Sequence, residues 1–229
     1  MNIDEITKLI DSLSKFVSAL AWPTLVAFLL VRFEPALKNF LQSLGELSFK
    51  GAGFEASVKR KQVEATAALV AAAAHRPDSE KPQLAANEAK EAVNLVQDEV
   101  TPRVLRKASR STILWVDDRP ENNSYERQSL EALGITFVLA RSTDEALEKS
   151  KPGKFNAIIS DMGRPPDPRA GYTLLDKLRA SGDQTPYIIY AGSNSTEHRT
   201  EARKHGALGC TNRPPELFEY VLQALRAAA

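Results

Sequence analysis

Two stretches decide the fold: STILWVDD at residues 111–118 and NAIISDMG at residues 156–163. In each, a short run of mainly apolar, partly β-branched residues leads to an aspartate, which is typical of a buried strand followed by a loop. Segments with helical spacing separate these runs from three further strand-like runs, TFVLA (136–140), PYIIYAG (186–192) and ALGCTN (207–212). Five alternations of strand and helix predict a parallel sheet covered by helices on both faces.

Acidic residues fall where two of these strands end. Asp117 and Asp118 end the first strand, and Asp161 ends the third. Folds of this class bind ligands beyond the carboxyl ends of their strands, where three carboxylates would repel one another unless a cation neutralised them. Oxygen ligands of this kind suit Mg²⁺, and Asp161 would then be available as a nucleophile toward phosphorus. Taken singly, each aspartate is as readily a solvated loop residue.

The order and spacing of these residues over 111–229 resemble the response-regulator receiver domain. The resemblance rests on a hydrophobic strand before Asp117-Asp118, on Asp161-Met162 with Pro165 four residues on, and on Gly206-Ala207 ahead of Arg213-Pro214. It implies a flavodoxin-like five-stranded parallel sheet and a signalling module rather than an enzyme. It also implies a Mg²⁺ site made by Asp117, Asp118, Asp161 and the backbone carbonyl of Gly163, with Asp161 as the phospho-acceptor.

The sequence departs from the family pattern at the residues that normally relay the signal. The position of the hydroxyl that contacts the phosphoryl group is Ala191, and Ser193 would need a shifted loop to replace it. The lysine position is Arg213, which keeps the charge but offers a planar fork of donors. The aromatic switch position is Cys210. The acidic cluster is therefore retained while the hydroxyl and the aromatic residue of the usual relay are missing.

The loop after Asp161, GRPPDPRAGY, carries two arginines among three prolines. Arg164 and Arg169 beside an acidic metal site could clamp a phosphate-bearing ligand. The plainer interpretation is a stiff, solvated loop in which Arg169 pairs with Asp167.

The N-terminal part predicts a membrane anchor over residues 1–45. Phe16–Val31 carries no charge and is bounded by Lys15 and Arg32, which is typical of a short membrane-spanning helix whose basic ends reach the interface. An amphipathic helix is expected at 37–44. A buried core helix or a helix lying in the membrane plane are the alternatives. Slightly more basic residues follow the run than precede it, which favours a single-pass protein of the inner (cytoplasmic) membrane with its C-terminal domain in the cytoplasm.

Residues 46–110 predict a helical spacer. LSFKGAGFEASV at 47–58 suggests a small hairpin or merely a turn, and two helical stretches, 54–74 and 83–110, flank the loop HRPDSEKP at 75–82. The two helices could form an antiparallel hairpin. Their apolar positions are mainly Ala and Val without sustained heptads, so the spacer could at most support a weak homodimer.

Composition excludes several classes of protein. Thirty basic and 29 acidic residues leave a net charge of +1, so a global electrostatic case for nucleic-acid binding fails. One cysteine permits neither an intramolecular disulfide nor a Cys-rich zinc site.

Two functions remain from different classes. The first is a membrane-anchored receiver that accepts a phosphoryl group on Asp161 from a histidine kinase or other phosphodonor and relays it to a partner or to the membrane segment. The second is a pseudo-receiver in which Arg164, Arg169 and Arg213 recognise a nucleotide signal or a protein partner, controlling a membrane effector in bacterial stress or phage defence. A phosphatase is disfavoured because no positioned general acid is evident.

Overall fold

A computed structural model describes residues 52–75, 82–150, 154–193 and 195–227. Within these ranges, residues from 56 onward belong to one compact unit, and no helix there is long and apolar enough to cross a membrane. The anchor expected over residues 1–45, with its apolar run Phe16–Val31, lies outside the described residues.

Three helices precede an alternation of strands and helices. The strands are β1 (Thr112–Val116), β2 (Thr136–Ala140), β3 (Ala157–Ser160), β4 (Tyr187–Tyr190) and β5 (Gly209–Thr211). The helices are α1 (Ala52–Ala74), α2 (Pro82–Glu99), α3 (Pro102–Ala108), α4 (Ser124–Glu131), α5 (Thr143–Lys149), α6 (Ala170–Ala180), α7 (Thr196–Lys204) and α8 (Pro214–Ala227), and a 3-10 helix covers Pro120–Asn123.

The five strands form one parallel sheet in the order β2-β1-β3-β4-β5. This confirms the predicted flavodoxin-like sheet with helices on both faces. Because β1 pairs directly with β3, with Val116 opposite Ser160, the loops that follow these two strands begin side by side. We call the end at which the strands finish the carboxyl edge and the opposite end the amino edge.

Alternating side chains of the central strands divide the core into two layers. On β1, Ile113 and Trp115 belong to one buried cluster, whereas Leu114 and Val116 belong to the other. Helices α5, α6 and α7 cover the second layer, and α4 and α8 cover the first. With both faces covered, the ligand-accessible parts of the sheet are its two edges.

The segment expected to be a spacer packs onto the first layer. Ala65 and Leu69 of α1 and Ala92 and Val96 of α2 are almost fully buried in the same cluster as Trp115. The small side chains of these helices allow close approach to the domain, so Ala-rich sequence here marks an interface rather than a solvated stalk. Part of the apolar surface of these two helices is thus buried within one chain.

Residues 52–58 belong to helix α1, so the helix expected at 54–74 begins two residues earlier and the possible hairpin does not include this part of its stretch. The glycine at 53 falls in the first turn, where a helix tolerates it, and no partner strand is available to the described part of this segment. The rest of that stretch, residues 47–51, lies outside the described residues.

Helix α1 runs along the domain from the amino edge to the carboxyl edge. Lys61 donates from Nζ to the carbonyl of Leu133, which lies just before β2 begins, at 3.3 Å. At the other end, the His75 ring meets the ring of Tyr125 edge-on, with centroids 4.8 Å apart, in the first turn of α4. The C-terminal end of α1 therefore reaches the edge that carries the aspartates.

Candidate functional site

The fold brings Asp117 and Asp161 to adjacent positions at the carboxyl edge. The Asp117 N–H donates to the carbonyl of Ala140 and the Asp161 N–H to that of Val116, both at 2.9 Å, so each aspartate continues the ladder of its sheet by one residue. Asp117 is buried, with 6% of its surface exposed, and Asp118 and Asp161 are half-buried. The strand ends thereby hold three carboxylates in one small region.

Burial raises the pKa of the Asp161 carboxyl to about 6, and the nearby negative charge of Asp117 adds to this effect. The backbone N–H of Met162 and the cation of Arg164 act in the opposite direction without overcoming it. A carboxylate in this environment carries negative charge that the protein does not fully compensate. A cation or a protonated form would relieve it.

Asp117 is held by neighbours on its own loop. The Arg119 N–H donates to Oδ1 at 2.7 Å, and Asn123 Nδ2 donates to Oδ2 at 2.6 Å. The Arg119 guanidinium also lies 3.8 Å from Asp118 Oδ2. These bonds fix the loop after β1 and orient the buried carboxylate.

The donor set suits Mg²⁺ by its chemistry: three carboxylates and the carbonyl of Gly163 are hard oxygen ligands. As they are oriented, however, no three Asp, Glu, His or Cys side chains in the described part of the chain are arranged to hold a metal ion. Both oxygens of Asp117 already accept hydrogen bonds. A bound ion would therefore compete with the Asn123 amide for this carboxylate.

A half-open cavity of about 1,020 Å³ lies over the three aspartates. Gly163, Pro165, Ala191 and Asn212 line it from the loops after β3, β4 and β5. It continues past the acidic cluster to the C-terminal end of α1, where Ala72 and His75 form its wall. The cavity is large enough for a phosphoryl group together with the part of the donor molecule that carries it.

Residues 113–221 match the family model of the response regulator receiver domain. This supports a receiver domain in that part of the chain and indicates a phospho-accepting signalling role for it. Receiver domains are generally signalling modules without an enzymatic activity of their own, and they act with a histidine kinase or another partner.

Several solved receiver structures are similar to the chain. The Francisella response regulator 1452 receiver domain is 25% identical, with 52% of this chain and 99% of that chain covered and a TM-score of 0.46. The chemotaxis response regulator CheY4 of Vibrio cholerae is 27% identical, with 50% and 98% covered and a TM-score of 0.43. A two-component response regulator from Clostridium difficile is 24% identical, with 51% and 97% covered and a TM-score of 0.45. No curated protein matches the chain.

The arginine at the lysine position of the receiver domain points away from the cavity. Arg213 donates from Nε to Glu88 of α2 at 3.1 Å and from Nη1 to Glu216 of α8 at 2.8 Å, and it also pairs with Glu91 of α2. Its neighbour Asn212 lines the cavity instead. The guanidinium of Arg213, which the sequence placed at the phosphoryl site, is thus held outside the cavity by three carboxylates.

The loop arginines do not form a phosphate clamp. Arg164 is buried, with 3% exposed, and donates to the Ser160 hydroxyl at 2.7 Å and to the Asp161 carbonyl at 2.6 Å. Arg169 pairs with Glu201 at 2.5 Å, and its guanidinium lies over the ring of Tyr172. The loop prolines and Arg169 are exposed, as the plainer interpretation expected, and the Arg169 N–H donates to Asp167 Oδ1 at 2.7 Å. The correction concerns the Arg169 side chain, whose partner is Glu201 rather than Asp167.

Ser193 does not supply the cavity with a replacement for the hydroxyl that is missing at position 191. Ala191 lines the cavity, as its place at the end of β4 predicts. Ser193 lies within 2.9 Å of His198 Nδ1 and does not belong to the cavity wall. Cys210 is buried in the second layer of the core.

Two polar residues of the cavity wall escaped the sequence interpretation. Glu126 is 6% exposed and accepts a hydrogen bond from the Tyr190 hydroxyl at 2.9 Å. Its burial raises its pKa, with the Tyr190 bond acting in the opposite direction. In the sequence, Glu126 is only a glutamate within a segment of helical spacing. Such a residue is usually exposed to solvent, so the sequence alone does not predict its burial.

Proposed function

We propose that Asp161 accepts a phosphoryl group in a Mg²⁺-dependent reaction, supplied by a histidine kinase or another phosphodonor. A carboxylate oxygen of Asp161 would form the bond to phosphorus as the bond between phosphorus and the donor's leaving atom breaks. The observation that carries this proposal is the placement of Asp161 beside Asp117 in an accessible cavity where its negative charge is uncompensated. Asp117, Asp118, Asp161 and the Gly163 carbonyl are the groups that would hold Mg²⁺ once the carboxylates reorient, and the ion would supply positive charge to offset theirs.

We assign the next step of the signal to the contact between Arg213 and α2. A phosphorylated Asp161 adds negative charge at the carboxyl edge, and this charge would compete with Glu88 and Glu91 for the Arg213 guanidinium. Because the hydroxyl and aromatic positions of the usual relay are Ala191 and Cys210, this contact offers an alternative output. The signal would then pass backward through the N-terminal helices.

The destination of that signal in this proposal is a membrane segment. Phe16–Val31 is long enough, with its basic flanks, to hold the chain at a bilayer, and α1 and α2 connect it to the receiver domain. The receiver domain would face the cytoplasm. The competing nucleotide-binding function loses its support, because the side chains of Arg164, Arg169 and Arg213 are each occupied by protein partners.

Thermal unfolding of residues 52–229 tests the phosphoryl site. Mg²⁺ with beryllofluoride, which mimics a phosphoryl group, should raise the midpoint temperature by several degrees, and Mg²⁺ alone by less. Asp161→Asn should abolish the beryllofluoride response, whereas Asp98→Asn on the exposed face of α2 should retain it. An equal response of both variants, or none in the native sequence, would refute phospho-acceptance at Asp161.

Hydrogen exchange of α2 tests the relay. Beryllofluoride should accelerate exchange at the N-terminal end of α2, and Glu88→Gln with Glu91→Gln should show fast exchange without it. Glu99→Gln, which removes the pair with Arg226 at the other end of α2, is the matched control. Unchanged exchange on beryllofluoride binding would eliminate Arg213 as the relay.

Alkaline carbonate extraction of the full chain tests the anchor separately. A spanning helix keeps the protein in the membrane pellet, and release into the supernatant would show that Phe16–Val31 does not span the bilayer.

A further inference from the structure

Although the net charge of the chain is close to zero, basic residues are clustered in a groove at the amino edge of the sheet. Arg103, Arg106, Lys107 and Arg110 line a cavity of about 430 Å³ together with Ser111, Asn156 and Leu225. Ser111 and Asn156 directly precede β1 and β3, so the groove lies at the end of the sheet opposite the aspartates. Among these seven lining residues, all in the described part of the chain, none is acidic.

The groove is built by a helix with one apolar and one basic face. Val104, Leu105 and Ala108 of α3 are buried in the core, whereas Arg103, Arg106 and Arg110 are exposed. Arg106 and Lys107, three and four residues after Arg103, share one side of the helix with it, and Arg110 follows two residues after the helix ends. Burial of the apolar face thus fixes the direction in which the charges point.

Lys107 secures this face to the end of α8. Its Nζ donates to the carbonyls of Leu225 and Arg226, each at 3.2 Å, which satisfies backbone acceptors at the helix end. The arginines on either side have no such structural task in the described contacts. Their positive charges are held together at the surface although like charges repel, which is costly without an anionic partner.

We infer that the basic groove binds the anionic headgroups of a lipid bilayer. The inference rests on the proposed membrane anchoring for its choice of a lipid over another polyanion. Helix α1 follows the apolar run in the chain, and its Lys61 contacts the Leu133 carbonyl at this same edge. Basic segments close to a membrane gain about 1 kcal/mol per arginine or lysine at an anionic surface.

The orientation that results has a consequence for signalling. With the amino edge on the lipid surface, the cavity over Asp117 and Asp161 faces away from the bilayer, because parallel strands carry the two sites at opposite ends. The phosphorylation site is then open to a phosphodonor in solution. Membrane contact and phosphoryl transfer do not compete for the same surface.

Vesicle binding by residues 52–229 tests this inference without the apolar run. This fragment contains the whole compact unit and its core, and circular dichroism with a cooperative melt would verify its folding before use. We expect sedimentation with vesicles of phosphatidylcholine containing 30 mol% phosphatidylglycerol, little with pure phosphatidylcholine, and release at about 0.5 M salt. Neutralising the three arginines in R103Q/R106Q/R110Q should lower the partition coefficient about 100-fold.

The matched control removes three arginines from the carboxyl edge in R119Q/R141Q/R169Q and should change the partition coefficient by less than about threefold, since these charges lie beyond a Debye length from the bilayer. An equal loss in both variants, or equal binding to both kinds of vesicle, would overturn the groove as a lipid site. Binding of an RNA or DNA duplex through the same arginines, without vesicle binding, would overturn the lipid assignment. Carbonate extraction of the full chain tests the membrane anchor independently. A failure of the lipid-binding groove can therefore be told apart from a failure of the proposed anchor.

Discussion

We expect the charge of Asp161 to make the folded protein less stable at neutral pH, and replacing this charge should show by how much. The carboxyl has an ordinary pKa of 3.8 and a folded-state pKa of about 6, a difference of about two pH units or about 3 kcal/mol. Because the folded pKa is the higher one, the stabilisation from the protonated form is complete below pH 3.8 and is lost as the pH rises through 6. Asp161→Asn keeps an acceptor for the Met162 N–H but cannot ionise.

We therefore expect Asp161→Asn to raise the free energy of unfolding by up to about 3 kcal/mol at pH 7.5, equivalent to about 5–10 °C in the midpoint temperature. At pH 4 the difference in stability between the variant and the native sequence should shrink to about 0.6 kcal/mol, because only part of the unfolded chain is ionised there. Urea unfolding of residues 52–229 in EDTA at both pH values measures this, with the exposed substitution Asp98→Asn as a control that stays within about 0.5 kcal/mol. A variant that is no more stable at pH 7.5, or one that gains equally at both pH values, would refute the account of an uncompensated charge.

Three further predictions concern the packing around the site. Leu69→Ala should cost about 2–5 kcal/mol in urea unfolding because α1 shares the core, whereas Val63→Ala, at a position 68% exposed, should cost little; equal effects would mean that α1 is a detached spacer. Gly209→Ala should destabilise the fold by about 1–3 kcal/mol, seen as a lower melting temperature, because a Cβ there collides with the ring of Tyr220, and an unchanged melt would contradict that contact. Arg164→Lys should lower the free energy of unfolding by about 2–3 kcal/mol and speed proteolysis of the loop after Asp161. Lysine lacks the planar guanidinium that donates to Ser160, the Asp161 carbonyl and the Ala170 carbonyl together. Native-like resistance to proteolysis would show that these bonds are not needed.

The strands and the acidic edge were predictable because their determinants are local. A buried parallel strand needs a run such as ILWV or AIIS, and each of the five predicted runs contains one of the five observed strands. For β1 and β3, the aspartate that follows the run also marks where the strand ends. The proximity of Asp117 and Asp161 follows from strand order, which the receiver resemblance supplied. Both inferences need only short stretches of sequence and a common topology.

The directions of the arginine side chains were not predictable, because they depend on the folded path of the chain. Arg213 turns toward Glu88 and Glu91, more than 120 residues earlier. Arg164 has nearby partners instead, and its inward direction depends on the path of the loop that brings the Asp161 and Ala170 carbonyls together. The packing of α1 and α2 is hidden for the same reason. Alanine-rich helices give a weak apolar periodicity, and only the complementary surface of α8 and the sheet shows which side is buried.

The energies of these contacts limit what the proposed relay can do. The pairs of α2 with Arg213 are partly exposed, with Glu91 about half accessible, and such pairs contribute about 1 kcal/mol each at most. Burial of side chains such as Leu69 and Val96 contributes about 1.5–3 kcal/mol each and does not involve Arg213. Withdrawing Arg213 therefore cannot detach α2 from the domain. It can change the equilibrium constant for local opening of the N-terminal end of α2 by about five- to thirtyfold. For a change of this size to move the N-terminal helices in one direction, a second element must hold the rest of the domain in place, such as a membrane surface at the amino edge.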